Sequence, residues 1–184
     1  LKTHVCYKGG VGRRRRERER YMGKDVIERI RREVENEPYA GKLGLRLLEL
    51  EPGRAVVEMA PRDDVANILG MTHGGAIFSL IDEAFQVSCN AYGTVAVALS
   101  MTLTYHSPPR ADATLRAESS EIHRSRKTGT YIIRVTDDRG SLIATCQALA
   151  YRKQEPLPFL SEGDGSEGVV EDAASSREGS GGSV

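Results

Sequence analysis

Residues 67–85 read NILGMTHGGAIFSLIDEAF. A His-Gly-Gly step, His73-Gly74-Gly75, opens a run in which Ala76, Ile77, Leu80, Ile81, Ala84, Phe85 and Val87 cover most of a helical circumference. The spacing predicts a helix from Gly74 to about Ala91, closed by Gly93, since glycine readily takes the left-handed conformation that ends a helix. A helix apolar nearly all round must be buried nearly all round. The acids Asp82 and Glu83 then stand out, because a core helix has no need of them.

Working outward, the flanking segments supply what would bury it. Upstream, KDVIERIRREVEN sets Val26, Ile27, Ile30 and Val34 on one face of an amphipathic helix that Pro38 ends. LGLRLLEL and GRAVVEMA read as two strands joined at Glu51-Pro52-Gly53. Downstream, TVAVALSMTLTYH alternates, with Val97, Leu99, Met101, Leu103 and Tyr105 on one face and Ala98, Ser100, Thr102 and Thr104 on the other. Three further strands follow, ATLRAESSEIH, GTYIIRVTD and SLIATCQALAYRK, the last two joined at Asp138-Arg139-Gly140. Runs of strands around a single long helix imply an α+β fold, an antiparallel sheet wrapped around one long central helix.

The ends differ from this middle. Residues 1–21 carry GGVGRRRRERER, a charge run expected to be a disordered tail; the Arg residues alternate with Glu and bring no aromatics, so a nucleic-acid arm is disfavoured. Met22 follows directly, and translation is expected to start there. GGVG is not a phosphate loop, since no Gly-Lys-Ser/Thr follows. Residues 154–184 dissolve into Gly, Ser, Glu and Asp and are expected to be disordered, leaving residues 23–153 as the folded domain.

Bulk composition narrows the function classes. Lys+Arg and Asp+Glu both total 26, so no charge imbalance points to nucleic acid. No apolar run approaches the roughly 20 residues of a membrane span. Cys6, Cys89 and Cys146 are scattered and odd in number, which suggests neither disulfides nor a zinc site. A cytoplasmic protein without metal or redox cofactor is the expectation.

A Gly-Gly step at a helix start leaves amide N–H groups unpaired and approachable, with the helix dipole adding partial positive charge. Such amides can hold the oxyanion formed when a carbonyl is attacked, and a carboxylate can activate water or attack the carbonyl itself. Yet Gly74 and Asp82 are about 12 Å apart along a helix at ~1.5 Å per residue. They can grip one acyl group only if two helices lie antiparallel across a dimer. Against this stand simpler roles. Asp82 and Glu83 fit an exposed strip or a pairing with Arg, His73 a structural hydrogen bond, and Asn67 a turn.

The combination Asn67-x-x-Gly70-x-x-His73-Gly74-Gly75, then Phe78-Ser79-Leu80-x-Asp82-x-Ala84-Phe85 and Asn90-x-x-Gly93, resembles the hotdog-fold acyl-CoA thioesterases of the phenylacetic-acid-degradation type. The resemblance covers about residues 40–152. It implies a hotdog fold, assembly as dimers and commonly dimers of dimers, and an acyl-CoA substrate. By resemblance Asp82 is the catalytic carboxylate, Gly74, with Gly75 next to it, the amide donor, Asn67 the residue that orients water or the carboxylate, and His73 the brace of the loop. Arg126, Lys127, Thr128 and Gly129, in HRSRKTGTY, match the segment near the coenzyme A phosphates, a solvated strand entry being the equal alternative. Ser100 is a further candidate for substrate contact. Two features depart from the family pattern. Ala111-Asp112-Ala113-Thr114 stands where Gly-Asp is usual, and Glu83 is a second acid expected to be exposed or paired. The expected activity is hydrolysis of an aryl-acyl or acyl-CoA thioester. A non-catalytic acyl-CoA-binding regulator on the same fold is the alternative, and a hydratase is disfavoured because it pairs His with an acid at another spacing.

Overall fold

The computed structural model describes residues 23 and 25–161. The expectations for residues 1–21, for a start at Met22 and for residues 162–184 lie outside the described residues.

Helix α1, residues 25–35, sets Val26, Ile27, Ile30 and Val34 against the core, as its periodicity predicts. Pro38 does more than end it. It occupies the first position of a second short helix, α2 (Pro38–Leu43), where its missing N–H is an orphan in any case. Gly44, at φ 65°, closes α2 and turns the chain into β1 (Leu45–Glu51). The hairpin to β2 (Arg54–Met59) turns at Gly53, whose φ of 83° and close approach to Tyr92 Oη, 2.7 Å from where a Cβ would sit, both require glycine.

After a short 3-10 turn (Asp63–Val65) comes the long helix α3 (Gly74–Asn90), then β3 (Thr94–Tyr105), β4 (Leu115–Arg124), β5 (Thr128–Asp137) and β6 (Leu142–Pro156). The six strands form one sheet in the order β1-β2-β4-β5-β6-β3, antiparallel throughout. The sheet curls so that α3 touches all six strands. Leu80, Ile81, Ala84 and Phe85 vanish from solvent beneath it, with the Phe85 and Tyr131 rings edge to face at 5.3 Å. A fully buried polar pair in this core is satisfied: Ser88 Oγ donates to Phe85 O and meets Ser119 Oγ at 2.8 Å.

Two features differ from the sequence reading. The alternating face of β3 does not pack wholly on its own helix. β3 is an edge strand, its pairing with β6 shifts register between Ala98 and Ser100, and Val97, Leu99 and Tyr105 stay exposed. The segment from residue 154 is not disordered from its start. β6 runs on to Pro156, Leu157 is buried, and a single turn α4 (Pro158–Ser161) lays Phe159 and Leu160 on the core. Leu157 N–H donates to Gly93 O (3.1 Å) and Arg29 Nη1 to Phe159 O (2.6 Å), so this turn closes over the C-terminal end of α3. Three apolar residues among prolines were enough to extend the domain beyond residue 153, because α1 and α3 leave an apolar notch for them.

Candidate active site

The loop before α3 is closed by Asn67. Its Oδ1 accepts the N–H groups of Leu69 (2.9 Å) and Met71 (3.1 Å), and its own N–H donates to Met71 O (2.7 Å). Gly70, at φ 74°, makes the reversal possible. Asn67 is therefore a turn residue through its oxygen, while its Nδ2 has no acceptor among the described residues. A bridge between Ala66 and Thr72 and the bond from His73 N–H to Val65 O (2.8 Å) lock the loop onto the helix start.

His73 is the N-cap of α3. Its Nδ1 accepts the Gly75 N–H at 2.8 Å, which assigns the imidazole proton to Nε2. Its carbonyl accepts from Ala76 (2.9 Å) and Ile77 (3.3 Å). With Gly75 engaged, Gly74 keeps an N–H that has no acceptor among the described residues. The cap thus separates the two glycines: the Gly75 N–H is taken by His73 Nδ1, and the Gly74 N–H is without an acceptor among the described residues. A residue that the sequence reading placed only on an apolar strand face also reaches this point. Tyr105 Oη donates to Gly74 O at 2.7 Å.

Asp82 lies two turns along, half-buried, with no hydrogen-bond partner among the described residues. Burial raises its pKa above the ordinary carboxylate range. A carboxylate so placed is poorly solvated and holds a proton more firmly than an exposed one. The thiols offer no rival nucleophile, since Cys89 is pushed up to about 12 and Cys146 is raised, both chiefly by burial.

Glu83 overturns the expectation of an exposed or cation-paired acid. It is 4% exposed, turned under the corner between α1 and α2. Its Oε2 accepts from Gln86 Nε2 (2.9 Å), which also donates to Glu37 Oε2 (2.8 Å), and its Oε1 is buried without a partner. Burial first, then the charges of Glu37 and Asp82, push its pKa up to about 7. Beside it Tyr39 Oη meets Ser79 Oγ at 2.8 Å, a second tie from the same corner to α3.

The remaining candidates are elsewhere. Ser100 is exposed on edge strand β3, opposite Leu149. Arg126 and Lys127 stand exposed at the β4–β5 turn, built by Ser125 Oγ accepting the Thr128 N–H (3.0 Å) and meeting Thr128 Oγ1 (2.9 Å). Gly129 is buried rather than open to a ligand: a Cβ there would stand 2.9 Å from the Tyr131 ring. Behind the turn, Arg124 lies 3.9 Å over the Tyr92 ring, and Arg152 Nη1 donates to Ser125 O (2.7 Å), cations the motif did not reveal. Gly129 pairs with Ala150 and through it with Ala98, whereas Val135 pairs with Ala144 and through it with Tyr105. The basic turn and the Gly74 amide are therefore at opposite ends of the sheet, about 20 Å apart at ~3.4 Å per residue. One chain does not bring them together.

Cavities flank the helix start. One of about 280 Å³ lies between Gly74, Ile77, Met71 and Tyr105, and another of about 320 Å³ between His73, Gly75, Ser79 and Tyr39. A larger one, about 520 Å³, lies toward the C-terminal end of α3 between Val34, Gln86, Val87 and Phe159. Among the described residues no three His, Cys, Asp or Glu side chains gather as a metal site, and no helix is long and apolar enough to cross a membrane.

Residues 69–144 match the family model of the thioesterase superfamily. A putative esterase of Archaeoglobus fulgidus is 34% identical over 134 residues, 72% of this chain and 87% of its own length. The acyl-coenzyme A thioesterase PaaI of Escherichia coli is 33% identical over 118 residues, 64% of this chain and 84% of its own. The solved structure of the E. coli PaaI protein superposes with a TM-score of 0.69 at 29% identity, covering 73% of this chain and 97% of that one. An unbonded carboxylate on a long helix, a free amide at its start, a sheet curled around it and these relatives agree. The chain belongs to the thioesterase superfamily, among its hotdog-fold acyl-CoA thioesterases.

Proposed function

We propose that the chain hydrolyses aryl-acyl-CoA thioesters, phenylacetyl-CoA-like compounds being the candidate substrates, to the free acid and coenzyme A, in sites shared between two copies. The carrying observation is the pair of unsatisfied groups on α3, the Gly74 N–H at its capped start and the carboxylate of Asp82 two turns on. Asp82 activates water or attacks the thioester carbon. The Gly74 amide of the facing copy holds the oxygen as it gains charge. The coenzyme A thiolate then leaves with a proton, and water supplies the acid's new oxygen. No metal or redox cofactor is required. Asn67 orients the water through Nδ2, His73 acts through its cap, and Gly75 holds that cap. Arg126, Lys127 and the Thr128 turn offer charge and backbone to the phosphates of coenzyme A, and Ser100 contacts the substrate. The reaction is assigned to the cytoplasm.

Sharing is supported by the about 12 Å that separates Gly74 from Asp82 in one helix at ~1.5 Å per residue. It is supported also by the position of the basic turn at the far end of the sheet, and by what is left uncovered. The edge strand β3 presents Leu99 (56% exposed) and Val97, and the neighbouring loop presents Ile68 and Leu69. A long apolar edge strand invites a second copy. Dimers of dimers follow if a further surface pairs.

The test is thiol release from a panel of aromatic and aliphatic acyl-CoAs. Turnover preferring an aryl-acyl thioester is the expected result. Turnover confined to aliphatic thioesters would refute the substrate class, and binding without turnover would turn the protein into an acyl-CoA-binding regulator. A second prediction concerns assembly. Leu99→Asp, a charge on the edge strand, is expected to give a monomer by light scattering and to lower activity by about tenfold or more, since each site would lose half its groups. A monomer with full activity would end the shared-site reading.

A further inference from the structure

The freest residue of the site is the one whose amide must be aimed. Gly74 has no Cβ to restrict it and sits at the first position of α3, where its N–H takes no part in the helical ladder. Its direction depends on what holds the peptide units on either side. Upstream, the His73 carbonyl accepts from Ala76 (2.9 Å) and Ile77 (3.3 Å), which fixes the unit that carries the Gly74 N–H. Downstream, the unit between Gly74 and Gly75 is gripped twice. Its N–H donates to His73 Nδ1 (2.8 Å) and its carbonyl accepts from Tyr105 Oη (2.7 Å).

Tyr105 comes from outside the loop and the helix. It is the last residue of β3, so its hydroxyl ties the edge strand to the helix start. Tyr105 as a whole is half exposed (51%), yet its hydroxyl is bound to the Gly74 carbonyl. The fit is close. A Cβ on Gly74 would lie 3.0 Å from Tyr105 Oη and 3.2 Å from Cζ, so the glycine and the tyrosine are matched to each other. Tyr105, Gly74 and Ile77 also wall the same cavity of about 280 Å³ beside the free amide.

We infer that Tyr105 is a positioning residue of the thioesterase reaction: its hydroxyl, bound to the Gly74 carbonyl, holds the Gly74 N–H in the direction from which it receives the thioester oxygen. The inference rests on the reading of Gly74 as that donor. A donor pre-aimed by the protein needs no reorganisation as charge develops, whereas a loosely held glycine must be ordered during the reaction. The benefit falls on the transition state rather than on binding, since the ground-state carbonyl carries little charge.

Tyr105→Phe keeps the ring and removes only the hydroxyl. Its kcat on the best acyl-CoA is expected to fall about tenfold with KM within about twofold, a loss confined to the transition state. A kcat within about twofold of the parent, or a rise in KM that matches the fall in kcat, overturns the inference. Gly74→Pro supplies the second arm. Proline lacks the N–H and suits the first helical position, and His73, at φ −63° and ψ 136°, already has the extended conformation that a residue before proline prefers. The proline's Cβ, 3.0 Å from Tyr105 Oη, asks the half-exposed tyrosine to give by a few tenths of an ångström. With the donor deleted the hydroxyl has nothing to aim, so Tyr105→Phe should leave the kcat of Gly74→Pro unchanged. A tenfold loss in both backgrounds places the tyrosine's effect elsewhere. A Gly74→Pro chain with parental kcat would instead sink the reading of Gly74 itself, which separates the two failures. Should that chain not fold, the kcat and KM of Tyr105→Phe alone decide.

Discussion

Asp82→Asn is expected to lower kcat by about 10²-fold or more while KM changes little, measured by thiol release on the best acyl-CoA. Asparagine matches aspartate in shape, so α3 and the half-buried site should survive. What disappears is the group that takes a proton from water or attacks the carbonyl. Neither the two buried thiols nor the cap histidine among the described residues replaces it, because the thiols are held protonated and His73 Nδ1 is committed to the Gly75 N–H. The pH profile of the parent carries a matching sign. Burial holds the Asp82 carboxyl above its ordinary value, so the active, ionised form is lost as pH falls through that raised value. The acid limb should therefore begin above the usual aspartate range. An Asp82→Asn protein with parental kcat would make the carboxylate structural and remove the catalytic reading.

The same variant tests where the amide comes from. If each site takes Asp82 from one copy and Gly74 from the other, a hybrid of Asp82→Asn and Gly74→Pro chains contains one doubly impaired site and one intact site. Mixing two nearly inactive proteins, with exchange of subunits, should then restore activity. If each chain used its own pair, every site in the hybrid would keep one defect and nothing would return. The about 12 Å along α3, at ~1.5 Å per residue, makes restoration the expected outcome.

How much of this was readable in the sequence differs from residue to residue. The central helix was legible because its apolar residues run round the whole circumference, which only burial on all sides explains, and the alternating strands around it supplied the cover. Asn67, His73, Gly74 and Asp82 were legible as a spaced set. Their division of labour was not: that His73 consumes the Gly75 amide and spares that of Gly74 depends on one imidazole rotamer. Tyr105 was invisible as a functional residue because it falls in step with Val97, Leu99 and Leu103, and alternation cannot separate a tyrosine kept for its ring from one kept for its hydroxyl. Gly129 misled in the opposite direction. Beside Arg126 and Lys127 it suggests open backbone for a phosphate, whereas its missing side chain makes room for the Tyr131 ring. The turn at Pro158–Ser161 was hidden by composition, since the two prolines and the polar run beyond it outweigh the three apolar residues that anchor it.

Glu83 carries the largest expected effect on stability, and its sign follows from its surroundings. The groups around it are Glu37 at the α1–α2 corner, Asp82 beside it and the Gln86 amide, with no cation acting on it among the described residues. Its folded pKa, up to about 7, exceeds the ordinary value of 4.5 that the carboxyl has when unfolded. Between those values the folded chain binds more protons than the unfolded one, so stability falls as pH rises. The neutral carboxyl's contribution is fully present below the unfolded value and is lost as pH rises through the folded one, an upper limit of about 3 kcal/mol. Glu83→Gln keeps the shape and stays neutral at every pH. At pH 8 its Tm should exceed the parent's by roughly 5–10 °C for a chain of this length. At pH 4, below the unfolded value, both folded and unfolded parent chains carry the carboxyl largely protonated, and the two Tm values should nearly coincide. Equal melting curves at both pH values would mean that Glu83 ionises without penalty and that its buried Oε1 has found a partner. The substitution should leave kcat close to the parent's, because the Glu83 carboxyl is turned beneath the α1–α2 corner while Asp82 occupies the half-open strip of α3. A rise in Tm at pH 8 with unchanged turnover would assign the two neighbouring acids separate work: Asp82 to the reaction, and Glu83 to a pH-dependent joint between the helices.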